Sequence, residues 1–297
     1  MSEAPANTGS VHPKNWPILL GLAVLRRLIL LPWPTQIKIG RAIGWIFFHL
    51  IRFRRRIILT NLKLCFPEKT PRERRRLALA HCQAMGIGIL ETGMAWWTPP
   101  DELPAYEIEG QEHLERVIAS GKGALILTAH FTTLEICARY LALKYRMGAL
   151  FRDPDNEVLA AEMRLRRAEK TTVAIPVNDL RKLIRSLRDG HIIWYAPDQG
   201  RRSRKFSTIV PFFGVPARTN TATSRITQMT GVPVVPFFGF RKPDGTYKMT
   251  ILPPLENFPT ADENADASRI NRLIEEQIRN APEQYFWIHK RFKRRGK

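Results

Sequence analysis

Gly123-Ala-Leu-Ile-Leu-Thr-Ala-His-Phe-Thr-Thr-Leu-Glu-Ile-Cys137 is the stretch on which the reading of this chain turns. The run Ala124 to Thr128 is apolar or small and reads as a buried strand, and from Thr132 a helix is expected to run to about Arg146. His130 then stands on a strand-to-helix turn. An imidazole at the mouth of a parallel sheet, with the carboxylate of Glu135 five residues on, has the make-up of a general base and its orienting partner. Five residues along one helix would put two side chains on well-separated faces, but His130 precedes the helix. The same letters admit a second reading. Thr132-Thr133-Leu134-Glu135 fits the capping box, in which Glu135 closes on the backbone N–H of Thr132.

Outward from this stretch, short apolar runs alternate with amphipathic helices. Candidate strands are Tyr106 to Ile108, Ala124 to Thr128, Gly148 to Phe151, Thr172 to Ile175, Ile192 to Ala196, Val232 to Phe237 and Tyr247 to Leu252. Helices are expected at roughly 110–121, 132–146, 156–170, 178–189 and 218–230. This is the pattern of an α/β fold with a mostly parallel central sheet flanked by helices. Ligands of such sheets sit outside the carboxyl ends of the strands. His130, Arg152 and Asp198 each follow a candidate strand, so all three are expected to face one crevice.

Upstream, Thr70-Pro71-Arg72-Glu73 opens a helix that should end before Pro99 and Pro100, with His81 packed inside it. Residues 16–56 hold two apolar segments, with Trp16, Trp33 and Trp45 near clusters of arginine. Rings at headgroup level and snorkelling guanidinium groups suit a water–lipid interface, so these residues are read as membrane-attachment helices after a flexible stretch, 1–15. A span across the bilayer or a helix lying along it both remain open. Residues 57–297 are expected to form a cytoplasmic α/β domain.

The 297 residues, 44% hydrophobic, can bury a sizeable core. With 47 Lys plus Arg against 27 Asp plus Glu, the net charge of +20 calls for an anionic partner. Nucleic acid is disfavoured because the aromatic residues lie within apolar runs and no binding motif is present. There is no nucleotide-binding glycine pattern, no metal-ligand spacing and no Gly-x-Ser-x-Gly elbow. Cys65, Cys82 and Cys137 have no disulfide-framework spacing, which suggests a reducing compartment. Cys137 is read as a bystander thiol.

Several blocks together resemble one family. His130-Phe131-Thr132-Thr133-Leu134-Glu135 resembles the His-x4-Asp/Glu signature of glycerolipid acyltransferases, in the form found in the lauroyl/myristoyl acyltransferases of lipid A biosynthesis. Phe151-Arg152 is similar to that family's aromatic-Arg-Pro block, although Asp153 intervenes before Pro154. Ala196-Pro197-Asp198-Gln199, Pro211-Phe212-Phe213-Gly214, Gly231 to Pro236, and Ala281 to Lys293 resemble further blocks in the same order.

The resemblance implies a glycerolipid acyltransferase-like fold. It also implies an O-acyltransferase that moves a fatty acyl chain from acyl carrier protein to a hydroxyl of a hydroxyacyl chain on a Kdo-bearing, phosphorylated lipid A precursor. The Thr-Leu-Glu ending of the first block favours lauroyl, with myristoyl as the alternative. His130 would be the base and Glu135 its orienting carboxylate. Arg152 would contact the acceptor phosphate or the oxyanion, alongside backbone N–H groups that open the helix after His130. Asp198 would orient a cation or the acceptor, or else cap a turn. Arg201, Arg202, Arg204 and Lys205 either dock an anionic headgroup or carrier or form an ordinary solvated loop, and the basic tail from Lys290 either rests on an anionic leaflet or is a frayed solvated tail. No cofactor or metal is implied beyond the carrier thioester as co-substrate, and the place of action would be the bacterial inner membrane, facing the cytoplasm. The rivals are an acyltransferase for another glycolipid or a lysophospholipid, and a non-catalytic basic membrane or nucleic-acid-binding protein.

Overall fold

The computed structural model describes residues 12–199 and 206–292. Residues 1–11, the basic stretch 201–205 and the tail from 293 therefore lie outside the described residues. Within the expected flexible stretch, Pro13–Asn15 form a 3-10 turn and Asn15 is buried.

Four helices come first: α1 (Trp16–Leu28), α2 (Trp33–Leu50), α3 (Arg52–Cys65) and α4 (Pro71–Trp97). Pro17, Pro34 and Pro71 stand in the first turns of α1, α2 and α4, where a missing N–H costs nothing. Thr70 and Glu73 cap α4 reciprocally, as the sequence predicts. Along α2 and α4 the backbones nearly touch. A Cβ on Gly44 would stand 2.1 Å from the Cys82 carbonyl oxygen, and one on Gly86 2.0 Å from that of Gly40. Only hydrogen fits there.

No helix among the described residues is long and apolar enough to cross a membrane, so of the two arrangements left open by the sequence a transmembrane helix finds no support. The physical reason is segmentation. Pro32 and Pro34 divide the apolar sequence, and the 13 residues of α1 reach about 20 Å against a hydrocarbon core of about 30 Å. These helices nevertheless leave large apolar side chains exposed, among them Trp16, Leu20, Trp45, Ile46, Leu50 and Phe53.

The remainder alternates strand and helix: β1 (Tyr106–Glu109), α5 (Gln111–Ala119), β2 (Ala124–Leu127), α6 (Leu134–Lys144), β3 (Met147–Phe151), α7 (Glu157–Lys170), β4 (Ala174–Pro176), α8 (Leu180–Arg188), β5 (Ile192–Tyr195), β6 (Ser207–Phe212), β7 (Val215–Asn220), α9 (Ala222–Thr230), β8 (Val234–Arg241), β9 (Tyr247–Ile251) and α10 (Glu263–Asn280). Seven strands form one sheet in the order β1-β9-β8-β2-β5-β3-β4, parallel except where β8 meets β9. The fold is α/β, with a mostly parallel sheet flanked by helices. The decisive strand β2 is central: Leu125 lies between Ile193 of β5 and Val234 of β8. All four of its residues are buried, which is why its sequence shows no alternation. Leu125 and Leu127 pack on one face with Ile58, Leu62, Ile274 and Trp287, while Ala124 and Ile126 face Ile136, Tyr140 and Leu114.

Helix α3, which runs across the expected boundary at residue 56, the β6–β7 hairpin and helix α10 have no counterpart in the sequence reading. The β6–β7 hairpin turns at Phe213 and Gly214, both in the left-handed region at φ 52° and 71°, as a tight hairpin turn that follows the strand twist requires. Pro211 faces Pro216 across it, a pair at which no N–H is needed between the two strands, but two prolines in so short a segment do not read as strand. Helix α10 begins polar and buries Ile270, Ile274 and Ile278 on one stripe.

Candidate active site

The turn after β2 is held at every step. Thr128 N–H donates to the Tyr195 carbonyl at 2.9 Å, which prolongs the pairing with β5, and Phe131 N–H bends back to the Ala129 carbonyl at 2.9 Å. From the other side comes the segment after α10. Thr132 N–H donates to the Gln284 carbonyl at 2.7 Å, and the His130 carbonyl accepts from Phe286 N–H at 2.9 Å. The backbone of His130 is thus clamped between the sheet and a segment far away in sequence.

Its imidazole is clamped as well. Nδ1 lies 2.5 Å from Oδ1 of Asp198, which follows β5, the strand next to β2. Asp198 is buried, and its second oxygen accepts from His130 N–H at 3.2 Å and from the Tyr285 hydroxyl at 3.0 Å. Burial alone would pull the imidazole pKa down, but the charge of Asp198 and its hydrogen bond outweigh burial and leave it raised above 6.5. Burial pushes the other way on Asp198, and the charge and hydrogen bonds of His130 hold its carboxyl below its ordinary value. Burial, reinforced by the Asp198 charge, keeps the Tyr285 hydroxyl protonated as a donor. With the Nδ1 proton on the Asp198 side, Nε2 is the atom left to work.

Glu135 is placed differently from the sequence expectation. Its Oε2 accepts from Arg167 at 3.0 Å and its Oε1 from the Trp96 indole at 3.1 Å. Burial would raise its pKa, but the Arg167 charge and hydrogen bond, with the Trp96 bond, hold it low. As the carboxylate that orients His130 it is replaced by Asp198. Glu135 opens α6 on a face turned towards α4 and α7, whereas a strand adjacent to β2 delivers Asp198 beside the ring. The capping-box reading does not hold either. Thr133 stands at the N-cap of α6 without a side-chain hydrogen bond, and the Thr132 N–H is used by Gln284.

His130, Leu134 and Glu135 line two cavities. One, of about 380 Å³, runs between α6 and α7 over β3, and Arg152 and Gln199 also face it. The other, of about 420 Å³, is bounded by Met85, Ile89 and Thr92 of α4 and by Phe131 and Phe286. Arg152 takes part in no hydrogen bond or ion pair among the described residues, so its guanidinium is available to a ligand. Of the expected oxyanion donors in the turn, the N–H groups of Phe131, Thr132 and Leu134 are already used inside the protein. His81 is fully buried, its Nδ1 donates to the Glu283 carbonyl at 3.0 Å, and its pKa is pushed by burial down to about 4. It packs, as expected. Cys137 is buried and its thiol pushed up, mainly by burial, so it is no nucleophile.

Sequence reasoning brings His130, Glu135, Arg152 and Asp198 to one place, but it misses Tyr285, Trp96 and Arg167. Tyr285 is visible only within the resemblance at the carboxyl-terminal block, and Arg167 lies in a basic helix where no neighbour singles it out.

The sequence comparisons agree with this architecture. A family model described as bacterial lipid A biosynthesis acyltransferase matches residues 4–294. The chain is similar to a lipid A biosynthesis lauroyltransferase of Escherichia coli, with 36% identity over 97% of this chain and 95% of that protein. It is also similar to the palmitoleoyltransferase of the same organism, 34% identical over 96% and 94%, and to its myristoyltransferase, 29% identical over 96% and 89%. With that match spanning nearly every residue, the chain belongs to the bacterial lipid A biosynthesis acyltransferases.

Proposed function

We propose that this acyltransferase moves a fatty acyl chain, lauroyl by preference, from acyl carrier protein to a hydroxyl of a hydroxyacyl chain on a Kdo-bearing lipid A precursor. The observation that carries the reading is the His130 ring, fixed through Nδ1 to buried Asp198 beside two cavities. Nε2 takes the proton of the acceptor hydroxyl, and that oxygen attacks the thioester carbonyl carbon. Asp198 stabilises the imidazolium so formed. When the tetrahedral intermediate collapses, the carbon–sulfur bond breaks and the imidazolium returns its proton to the departing thiolate. No acyl-enzyme is needed, because the nucleophile is already on the acceptor. Arg152 faces the cavity and supplies positive charge for the oxyanion or an acceptor phosphate.

Two cavities meeting at one base suit a reaction between two chain-bearing substrates. The exposed apolar residues of α1 and α2, among basic neighbours, favour attachment along the cytoplasmic face of an anionic inner membrane. Relatives named for lauroyl, palmitoleoyl and myristoyl transfer bracket the chain length.

The test is acyl transfer by detergent-purified protein given lauroyl, myristoyl and palmitoyl carrier protein and an acceptor with or without its Kdo sugars. One added acyl chain, lost by about 10² to 10⁴ in rate in folded His130→Ala, is the expected outcome. An active His130→Ala would sink the mechanism. Wild-type activity on a lysophospholipid alone would move the acceptor to the rival class.

A further inference from the structure

The cavity between α6 and α7 has a second end. His130 follows the carboxyl end of β2, but the cavity continues past Ala138, Ala142 and Met147 to Lys170, the last residue of α7. Thr172, just beyond, donates its N–H to the carbonyl of Met147, the first residue of β3. Lys170 is therefore at the opposite edge of the sheet from His130, the length of β3 away, or about 15 Å. Arg139, one helical turn after Glu135 on α6, faces the same space.

The charge there is compensated only in part. Arg166 and Arg167 also line the cavity, but Glu162, Glu169 and Glu135 pair with them. Arg139 and Lys170 have no ion pair or hydrogen bond among the described residues, and the Arg139 Nε is buried with no acceptor at all. Burial lowers the pKa of both, and the Arg139 charge lowers that of Lys170 further, against a smaller opposing effect of Glu169. Two cations on one cavity with no ion-pair partner among the described residues, one with an orphaned donor, are the empty half of an anion site.

We propose that Arg139 and Lys170 form a phosphate subsite that binds a sugar phosphate monoester of the glycolipid acceptor. This rests on the function proposed above. A monoester near neutral pH carries close to two negative charges, which matches the two cations, whereas a phosphodiester such as that on a carrier protein's prosthetic arm carries one. The apolar floor between the subsite and His130, made by Ala138, Ala142 and Met163, suits a hydrocarbon chain joining the phosphate-bearing sugar to the reacting hydroxyl. The two side chains therefore set specificity for a phosphorylated acceptor.

The test compares wild type with Arg139→Gln/Lys170→Gln in steady-state transfer, with the acceptor carrying both of its phosphates or lacking one. The expected result is an acceptor KM raised roughly 10- to 100-fold with the donor KM unmoved, and loss of the wild-type preference for the fully phosphorylated acceptor. A raised donor KM, an acceptor KM within threefold of wild type, or equal damage with the dephosphorylated acceptor overturns the subsite. If wild type transfers nothing, the function reading has failed, and the subsite is decided separately by titration with glucose 1-phosphate. Trp96 and Trp194 line the cavity and report it by fluorescence. A saturable change in wild type that the double variant lacks supports the subsite, and identical titrations refute it.

Discussion

Replacing Asp198 with asparagine keeps the shape of the side chain and removes its charge. Three donors converge on this carboxylate: His130 Nδ1 at 2.5 Å, His130 N–H at 3.2 Å and the Tyr285 hydroxyl at 3.0 Å. An amide has one accepting oxygen, so its NH₂ must face at least one of these donors, or the imidazole must turn to the other tautomer. Either way Nε2 is no longer held as a free base, and kcat is expected to fall by about 10² to 10⁴. The pH profile separates this from simple misfolding. In wild type the imidazole pKa is raised, so turnover, which needs neutral His130, should climb with pH through a point above 6.5. Without the Asp198 charge, burial acts alone and the residual activity should titrate below 6.5. The assay is acyl transfer from pH 5 to pH 9 by variants whose folding is confirmed by near-UV circular dichroism. Glu135→Gln, run beside it, should leave the midpoint of the profile in place. An Asp198→Asn enzyme within threefold of wild type with an unmoved profile, beside a dead Glu135→Gln, would restore Glu135 as the orienting carboxylate and refute the reasoning.

The stability of the pair should follow a different course from its activity. His130, with its pKa raised, adds stability that is complete below 6.5 and lost as pH rises through the raised value; Asp198, depressed, adds stability that is complete above 3.8 and lost as pH falls through its lowered value. Thermal unfolding from pH 3 to pH 9 should show this contribution at its largest between those two values, and its absence in His130→Ala is the control. Gly44→Ala drives a methyl into the Cys82 carbonyl and should cost about 1–3 kcal/mol in denaturant unfolding; no change would mean that α2 is free to shift along α4. Glu91 accepts from Arg241 at 2.5 Å and from Tyr247 at 2.6 Å while buried, so Glu91→Ala strands a buried guanidinium at about 3–5 kcal/mol, read as a lowered Tm. Trp45→Ser with Ile46→Ser should weaken sedimentation with anionic vesicles about tenfold, and unaltered binding would remove this face from membrane attachment.

The sheet was legible because β2, β5 and β8 are buried on both faces and must be continuous apolar runs, a signal that survives without any partner in view. The β6–β7 hairpin was not, since its prolines and its left-handed Phe213 contradict local propensity and are tolerated only in a two-stranded ribbon packed on α10. At the site, local spacing suggested Glu135 as the partner of His130, and distance in the sequence hid the true arrangement. Which carboxylate reaches the ring is set by strand order, with β5 beside β2, and strand order is a property of the whole sheet. Arg139 and Lys170 illustrate the same limit. In sequence each is one more cation in a chain of net charge +20, and only the lack of an ion-pair partner among the described residues marks them out.

Asp198 lies 68 positions beyond His130, and Tyr285 a further 87 beyond Asp198. The segment that brings Tyr285 is tied down elsewhere too: Asn61 of α3 donates to the carbonyls of Trp287 at 2.7 Å and His289 at 2.8 Å. During synthesis, then, the ribosome can release the complete seven-stranded sheet, Asp198 included, while the backbone of His130 still lacks the half of its clamp that comes from residues 284–286. The hydroxyl of Tyr285 and the backbone bonds from Gln284 and Phe286 are added only when a late stretch of chain docks onto one of the earliest.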